Sequence, residues 1–367
     1  MMETMSIRMK ALTPIHIGTG EDFEPTNFII DEGFLYEFDE TAFYAELGEQ
    51  ERKAFMHKVE STAPEALFEL HNFVKQHKEA AKKAARLKVK VTNGIEKDYR
   101  NKVGRAVQLE GRQKQRVFNR FQIARTLRNP NTTYPYIPGS SIKGSISTAI
   151  QEAFYKDNPG KYDEFFNVRN PSKSFMKNLI VSDAKPLRIG GKIGYSLNKE
   201  RFEDDQEGPK NKVEVIVPGS EYEVRFSVRD YEPPLTFGLD ELKRYSNEHY
   251  LPLFQSMMSS YNTFRNKRVD DYINEYFSDA FYEKFKNLTL GENQFLLRVG
   301  KHSGARAVTI EGMREIRVKV SGGGPRRKPN RWETLDQETT TWLFGEYESQ
   351  KDGLLPFGWV LCEVVNG

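Results

Sequence analysis

Tyr134-Pro-Tyr-Ile-Pro-Gly-Ser-Ser-Ile-Lys-Gly-Ser-Ile-Ser-Thr-Ala-Ile150 reads as a stiff loop that feeds a helix. Pro135 and Pro138 fix the backbone on the approach, and Gly139 lets it turn. From there Ile142, Ile146, Ala149, Ile150 and Phe154 recur at helical spacing and make one apolar stripe. Ser140 or Ser141 is expected to cap the first free N–H groups. Lys143 is the odd residue, because a cation in the first turn opposes the helix dipole at roughly 0.3–1 kcal/mol if exposed. Hydroxyls, free N–H groups and a lysine at one helix start suit a phosphate. The plainer reading is a capped helix with a solvated lysine. The Gly-x4-Gly-Lys-Ser spacing of a Walker loop is missing.

On the N-terminal side, Ser6 to Leu12 alternates as a half-buried strand, with Ile7, Met9 and Ala11 on one face. Thr13-Pro-Ile-His-Ile-Gly-Thr-Gly20 follows as a loop whose glycines allow close approach to a ligand and which holds His16. Phe28 to Phe38 reads as a hairpin turning at Asp31-Glu32-Gly33, and Asp39 caps a helix running to Leu47. Pro64 to Arg86 is expected to be helical, and Val91 to Gly111 a loop or insertion. Between Lys75 and Arg128 there are 17 Lys/Arg and 4 Asp/Glu, a local +13 inside a chain of net charge +3. Such a segment suggests a localised polyanion surface, against the plainer alternative of a solvated helix face and loop. Arg112, Arg116, Arg120 and Arg125, with Phe118 and Phe121 nearby, suit single-stranded nucleic acid through phosphate contacts and base stacking. Either phenylalanine could equally be core.

On the C-terminal side, Leu179 to Ala184 reads as a buried strand and Asn198 to Lys212 as an exposed charged loop. Residues 213–228 read as a second hairpin around Pro218-Gly219-Ser220, and 240–288 as two or three helices. Phe295 to Val299 is a strand running into Gly300-Lys-His-Ser-Gly304. Ser321 to Asn330 is a basic glycine-rich loop, and Pro356 to Val365 closes the chain as a strand. This order is not a run of βαβ crossovers. It suggests an α+β fold in two halves, each a small antiparallel sheet with helices on one face.

At 367 residues two domains are expected. The division falls at 1–175, carrying the basic insertion 75–128, and 176–367, carrying the helical segment 240–288. A single cysteine, Cys362, excludes an internal disulfide and any multi-cysteine metal site. No cofactor or metal is expected. No apolar run approaches the roughly 20 residues that span a bilayer. The N-terminus lacks a signal-peptide core, so no membrane partner and a cytoplasmic location are the default expectations.

Four motifs in order carry a resemblance. Thr13-Pro-Ile-His-Ile-Gly-Thr-Gly20, Tyr136-Ile-Pro-Gly-Ser-Ser-Ile-Lys-Gly144, Leu297-Arg-Val-Gly-Lys-His-Ser-Gly304 and Leu355-Pro-Phe-Gly-Trp-Val360 resemble the RAMP superfamily of CRISPR-associated proteins. The chain looks most like the subunit of type III-A (Csm) effector complexes that caps the 3′ end of the guide RNA (crRNA). The resemblance implies two ferredoxin-like, RRM-like domains with helical insertions, and crRNA held by backbone contacts rather than by a base code. It points to Ser140, Ser141 and Lys143, then to His16, Gly18, Lys301, His302 and Arg306, with Arg326 and Arg327 free to serve a neighbouring subunit. The implied partners are crRNA, other RAMP subunits, target RNA and host nucleases that mature the guide.

Two enzymatic readings compete with this non-catalytic one. A metal-independent endoribonuclease would draw acid, base and phosphate stabilisation from His16, His302 and Lys143. A target-RNA-cutting backbone subunit would use a loop aspartate, for which Asp22 lies in a loop of the right kind. Without the resemblance, the charge pattern supports only a basic protein that binds nucleic acid non-specifically.

Overall fold

The computed structural model describes residues 2–63, 66–104, 107–110, 115–117, 121–166, 174–202, 208–229, 238–264, 267–320 and 331–365. The fold is α+β, with two large sheets joined by one continuous core. In the six-stranded sheet the strand Met2–Ala11 is flanked by Glu221–Arg229 and Trp359–Val365, both antiparallel. Gln294–Arg298 pairs beyond Trp359–Val365. Leu179–Val181 and Lys185–Arg188 pair with the other side of Glu221–Arg229. The alternation in Met2–Ala11 sends Ile7, Met9 and Ala11 into the core and leaves Arg8 and Lys10 in water.

The helix Gly139–Asp157 packs against this sheet and against the helix Leu239–Met258. Its stripe of Ile142, Ile146, Ala149, Ile150 and Phe154 is buried throughout. The Tyr250 hydroxyl lies 2.9 Å from Ser145 O and 3.2 Å from Ala307 O, tying both helices to the segment after residue 304.

The nine-stranded sheet has Gly18–Phe23 at one end and Phe28–Asp31 at the other. The hairpin Phe28–Asp31/Phe34–Phe38 turns where expected, with Glu32 and Gly33 at φ 51 and 78, the left-handed pair that a tight hairpin requires. Asp39 caps the following helix by accepting from the Thr41 and Ala42 N–H groups.

Several expectations are corrected. The helical run ends early: helices span Ala66–Gln76 and Lys78–Lys83, and Ala85–Val91 is a strand. Its Leu87, Val89 and Val91 point inward and Arg86, Lys88 and Lys90 outward, so period-two burial overrides the helix propensity of Ala, Lys and Arg. Asn93–Lys102 is a helix capped by Thr92 instead of a loop. Asn198–Lys212 is a loop over a shorter span than expected, because its two ends belong to the antiparallel strands Gly191–Glu200 and Lys210–Ile216, and 203–207 lie outside the described residues. Lys210–Ile216 and Glu221–Arg229 are not a hairpin, because each belongs to a different sheet and the turn at 218–220 carries the chain between them. Phe121 is buried core, and Phe118 lies outside the described residues. Both sheets take strands from either side of residue 175, so a division there is not a division between sheets. Among the described residues, no helix is long and apolar enough to cross a membrane.

Candidate nucleic-acid interface

Three neighbouring strands of the six-stranded sheet put their loops at one end of it. Met2–Ala11 ends there, Gln294–Arg298 ends there, and Trp359–Val365 begins there. Backbone hydrogen bonds bind the loops into one junction. Gly358 N donates to Pro14 O at 2.9 Å, Val299 N to Gly358 O at 2.8 Å, and Lys301 N to His16 O at 2.8 Å. The close approach needs glycine: at Gly300, with φ 83, a Cβ would sit 2.6 Å from His16 O.

His16 lies at the centre and is 1% exposed. Its Nδ1 is 2.8 Å from Glu214 O. A carbonyl can only accept, so Nδ1 carries the proton and Nε2 presents a lone pair. Burial lowers the His16 pKa, the Glu214 carbonyl opposes that shift, and the Lys301 charge adds to it. The imidazole is therefore neutral at pH 7, with Nε2 turned toward the exposed backbone of Gly18, whose added Cβ would lie 3.4 Å away. Lys301 is exposed beside it.

His302 adopts φ 70 and packs its ring 4.6 Å from Trp342 and 5.0 Å from Phe357, with the His16 ring 6.1 Å away. Burial, aided by His16 and Lys301, drives its pKa down to about 3. It stays uncharged at neutral pH. The junction thus offers a cation, a neutral acceptor and bare backbone, a set that matches a phosphate and a ribose hydroxyl.

Arg306 is used differently. It donates to Glu338 Oε1 at 3.1 Å, which also accepts from Arg201 at 2.9 Å, and Arg201 pairs with the buried Asp271. Arg306 therefore anchors the segment after Gly304 and does not project into water.

Ser140, Ser141 and Lys143 open the helix Gly139–Asp157. Their helix starts against the Leu179–Val181 edge of the sheet, and no hydrogen bond or ion pair among the described residues joins them to the His16 junction. The expected serine cap is absent. Pro138 holds the N-cap position without a side-chain bond, and Asp183 Oδ1 accepts from Gly139 N at 2.8 Å. Ser140 and Ser141 are already inside the first turn, so their hydroxyls cannot reach the N–H groups a cap serves. Ser140 is exposed, Ser141 and Lys143 half-buried. Partial burial lowers the Lys143 pKa, and Lys143 forms no ion pair among the described residues. A nearby anion would offset that cost.

Arg112, Arg120, Arg326 and Arg327 lie outside the described residues, as does the side chain of Arg116. Sequence reading gave no role to Arg86, Arg128, Glu37, Glu214 and Trp342, and set Arg125 only among the basic residues of 112–128. The alternation Arg86-Leu-Lys-Val-Lys-Val91 was the one signal that could have flagged the first of these.

The RAMP superfamily model matches residues 8–295. A protein of Methanocaldococcus jannaschii described as the CRISPR system Cms protein Csm5 is 28% identical over 210 residues. That match covers 54% of this chain and 44% of the relative, so it spans less than half the length of that protein. The fold is shared with a chain in the cryo-EM structure of a Csm–crRNA–target RNA ternary complex of a type III-A CRISPR-Cas system. The TM-score is 0.57 at 18% identity, over 98% of this chain and 100% of that one. It is shared as well with the crystal structure of T. onnurineus Csm5, at TM-score 0.51 and 16% identity over 96% and 99% of the two chains. The chain belongs to the RAMP superfamily.

Proposed function

We propose that this RAMP-superfamily chain is a non-catalytic crRNA-binding subunit of a type III-A CRISPR (Csm) effector complex in antiviral defence. It caps the 3′ end of the guide, supports guide maturation and assembles with other RAMP subunits. Target RNA and host nucleases are further partners in this reading. One observation carries it: the first-loop and late-loop motifs, from opposite ends of the chain, meet at the His16–Lys301 bridge. There a cation, a neutral imidazole acceptor and exposed glycine backbone lie together, chemistry suited to ribose and phosphate and indifferent to base identity. The similarity to proteins described as Csm5, and to a chain of a Csm–crRNA–target RNA complex, supports the same assignment.

The endoribonuclease reading needs His16, His302 and Lys143 to act together, and no hydrogen bond or ion pair among the described residues joins Lys143 to either histidine. With a pKa near 3, His302 is a poor proton donor at neutral pH because almost none of it is protonated. His16 remains a candidate base without an assembled acid.

Tagged chain is recovered from cells carrying a CRISPR array, and the bound RNA is sequenced for wild type, Lys301→Gln and Lys143→Ala. Mature guides of defined length with several RAMP partners, depleted by either variant, are expected. Recovery of the chain alone with mixed cellular RNA would overturn the reading. A His16→Gln chain that still binds precursor guide but no longer cuts it would establish the endoribonuclease instead.

A further inference from the structure

The junction leaves most of the basic stretch unexplained. Part of that stretch lines a groove on the nine-stranded sheet. A cavity of about 440 Å³ opens between the strand Ala85–Val91 and the strand Ile123–Thr126 with its following loop, with Arg86, Arg125 and Arg128 on its walls. Thr19, directly after Gly18 of the junction, lines it too. A second cavity of about 220 Å³ shares Arg86, Arg128 and Thr133 and runs on past Lys88 to Tyr134. The two form one continuous groove.

Its cations are held from beneath. Glu37 is 1% exposed and grips Arg125 with both oxygens, at 2.6 and 3.1 Å, while also accepting from Arg86 at 3.2 Å. Glu214 is fully buried and accepts from Arg128 Nε at 3.0 Å and from Thr126 N at 3.0 Å. Lys88 stands 4.1 Å over the Phe34 ring. The heads are thus pre-placed, which cuts the side-chain entropy lost when an anion binds. Arg86 keeps an open face, because its side chain is 57% exposed and one nitrogen alone meets Glu37. At the far end Tyr134 is 53% exposed, and Gly190 and Gly191 leave the neighbouring wall without side chains.

We propose that this groove holds one nucleotide of single-stranded RNA, its phosphate against Arg86 and Lys88 and its base against the Tyr134 ring. The proposal rests on the RNA-binding reading above and extends it to a second site on the same chain. The volume suits a nucleotide, since small-ligand sites start at roughly 300 Å³. An exposed aromatic beside pre-placed cations is the pattern by which single strands are bound without sequence preference. Glu21, Glu37 and Glu214 offset all but one of the four cations, so position rather than overall field provides the attraction. An acidic peptide would use the cations and leave Tyr134 idle.

The test titrates a labelled oligouridylate against the full-length chain and its Arg86→Gln/Lys88→Gln and Tyr134→Ala variants. Both substituted surfaces are exposed, and a thermal melt checks each fold. Losing both cations from the one phosphate should weaken binding about tenfold at 0.15 M salt and flatten the log–log salt slope by about 0.7. Tyr134→Ala should weaken it about fivefold or more, from roughly 1–3 kcal/mol of stacking. Crosslinking of 4-thiouridine RNA should map to residues 86–88 and 133–134. The groove proposal falls if both variants bind as wild type while Lys301→Gln does not, an outcome that leaves the junction intact. It falls as well if matched polyglutamate displaces the RNA equally well and Tyr134→Ala has no effect. If Lys301→Gln alone is silent, the junction reading fails and the groove stands.

Discussion

Gly300→Ala strikes the point where the two ends of the chain meet. Gly300 sits at φ 83, and its added Cβ would lie 2.6 Å from His16 O. Left-handed backbone costs a non-glycine residue about 1–2 kcal/mol. Relief of the clash must pull the segment from His16, breaking the 2.8 Å bond from Lys301 N to His16 O at about 1 kcal/mol. The expected loss is about 2–3 kcal/mol, read as a lower urea midpoint at unchanged slope. RNA affinity should fall with it, because Lys301 moves away from His16. Gly144→Ala is the contrast, at an exposed helical position with nothing within 4 Å of the new Cβ. It should stabilise by about 0.5–1 kcal/mol and leave RNA binding unchanged. Should Gly300→Ala unfold within about 0.5 kcal/mol of wild type and bind RNA normally, the junction is not built as described.

Other outcomes follow from the buried charges. Arg201→Met strands Asp271, which is buried and paired with it, and should cost about 3–5 kcal/mol by denaturant titration; Asp271→Leu on top of it should recover part of that loss. Glu152 is buried, a situation that alone would raise its carboxyl, yet His249, the Glu311 N–H and Lys156 hold it down at about 2. A carboxyl depressed in the folded state gives stability that is present above pH 4.5 and lost as pH falls toward 2, here about 3 kcal/mol. His71 is neutral in its buried site, with a pKa near 4. Its contribution is full above pH 6.5 and lost as pH falls toward 4, so His71→Leu should narrow the gap between urea midpoints measured at pH 7.5 and 4.5.

The strands and helices that could be read from the sequence are those whose pattern lies within a few residues. The alternation of Ile7, Met9 and Ala11, the Asp31-Glu32-Gly33 turn and the stripe from Ile142 to Phe154 all reappear as expected. The basic segment misled, because alanine and lysine favour a helix locally while Leu87, Val89 and Val91 gain more by burial in a sheet. At the site, motif reading picked out His16, Gly18, Lys301 and His302, which do converge. It gave no sign that the Arg306 guanidinium is held by Glu338, or that Arg86, Arg125 and Arg128 rest on carboxylates distant in sequence.

By itself, the sequence determined the family motifs, the turn chemistry and the faces of the longest amphipathic elements, because sterics and periodicity act over neighbouring residues. Only the tertiary structure decided which strands pair. Met2–Ala11 lies between Glu221–Arg229 and Trp359–Val365 because burying one apolar face selects partners from anywhere in the chain. That choice sets His16 beside Lys301. It also gives the helix at Gly139 its cap from Asp183, since an N–H group takes whichever acceptor the folded chain brings within reach.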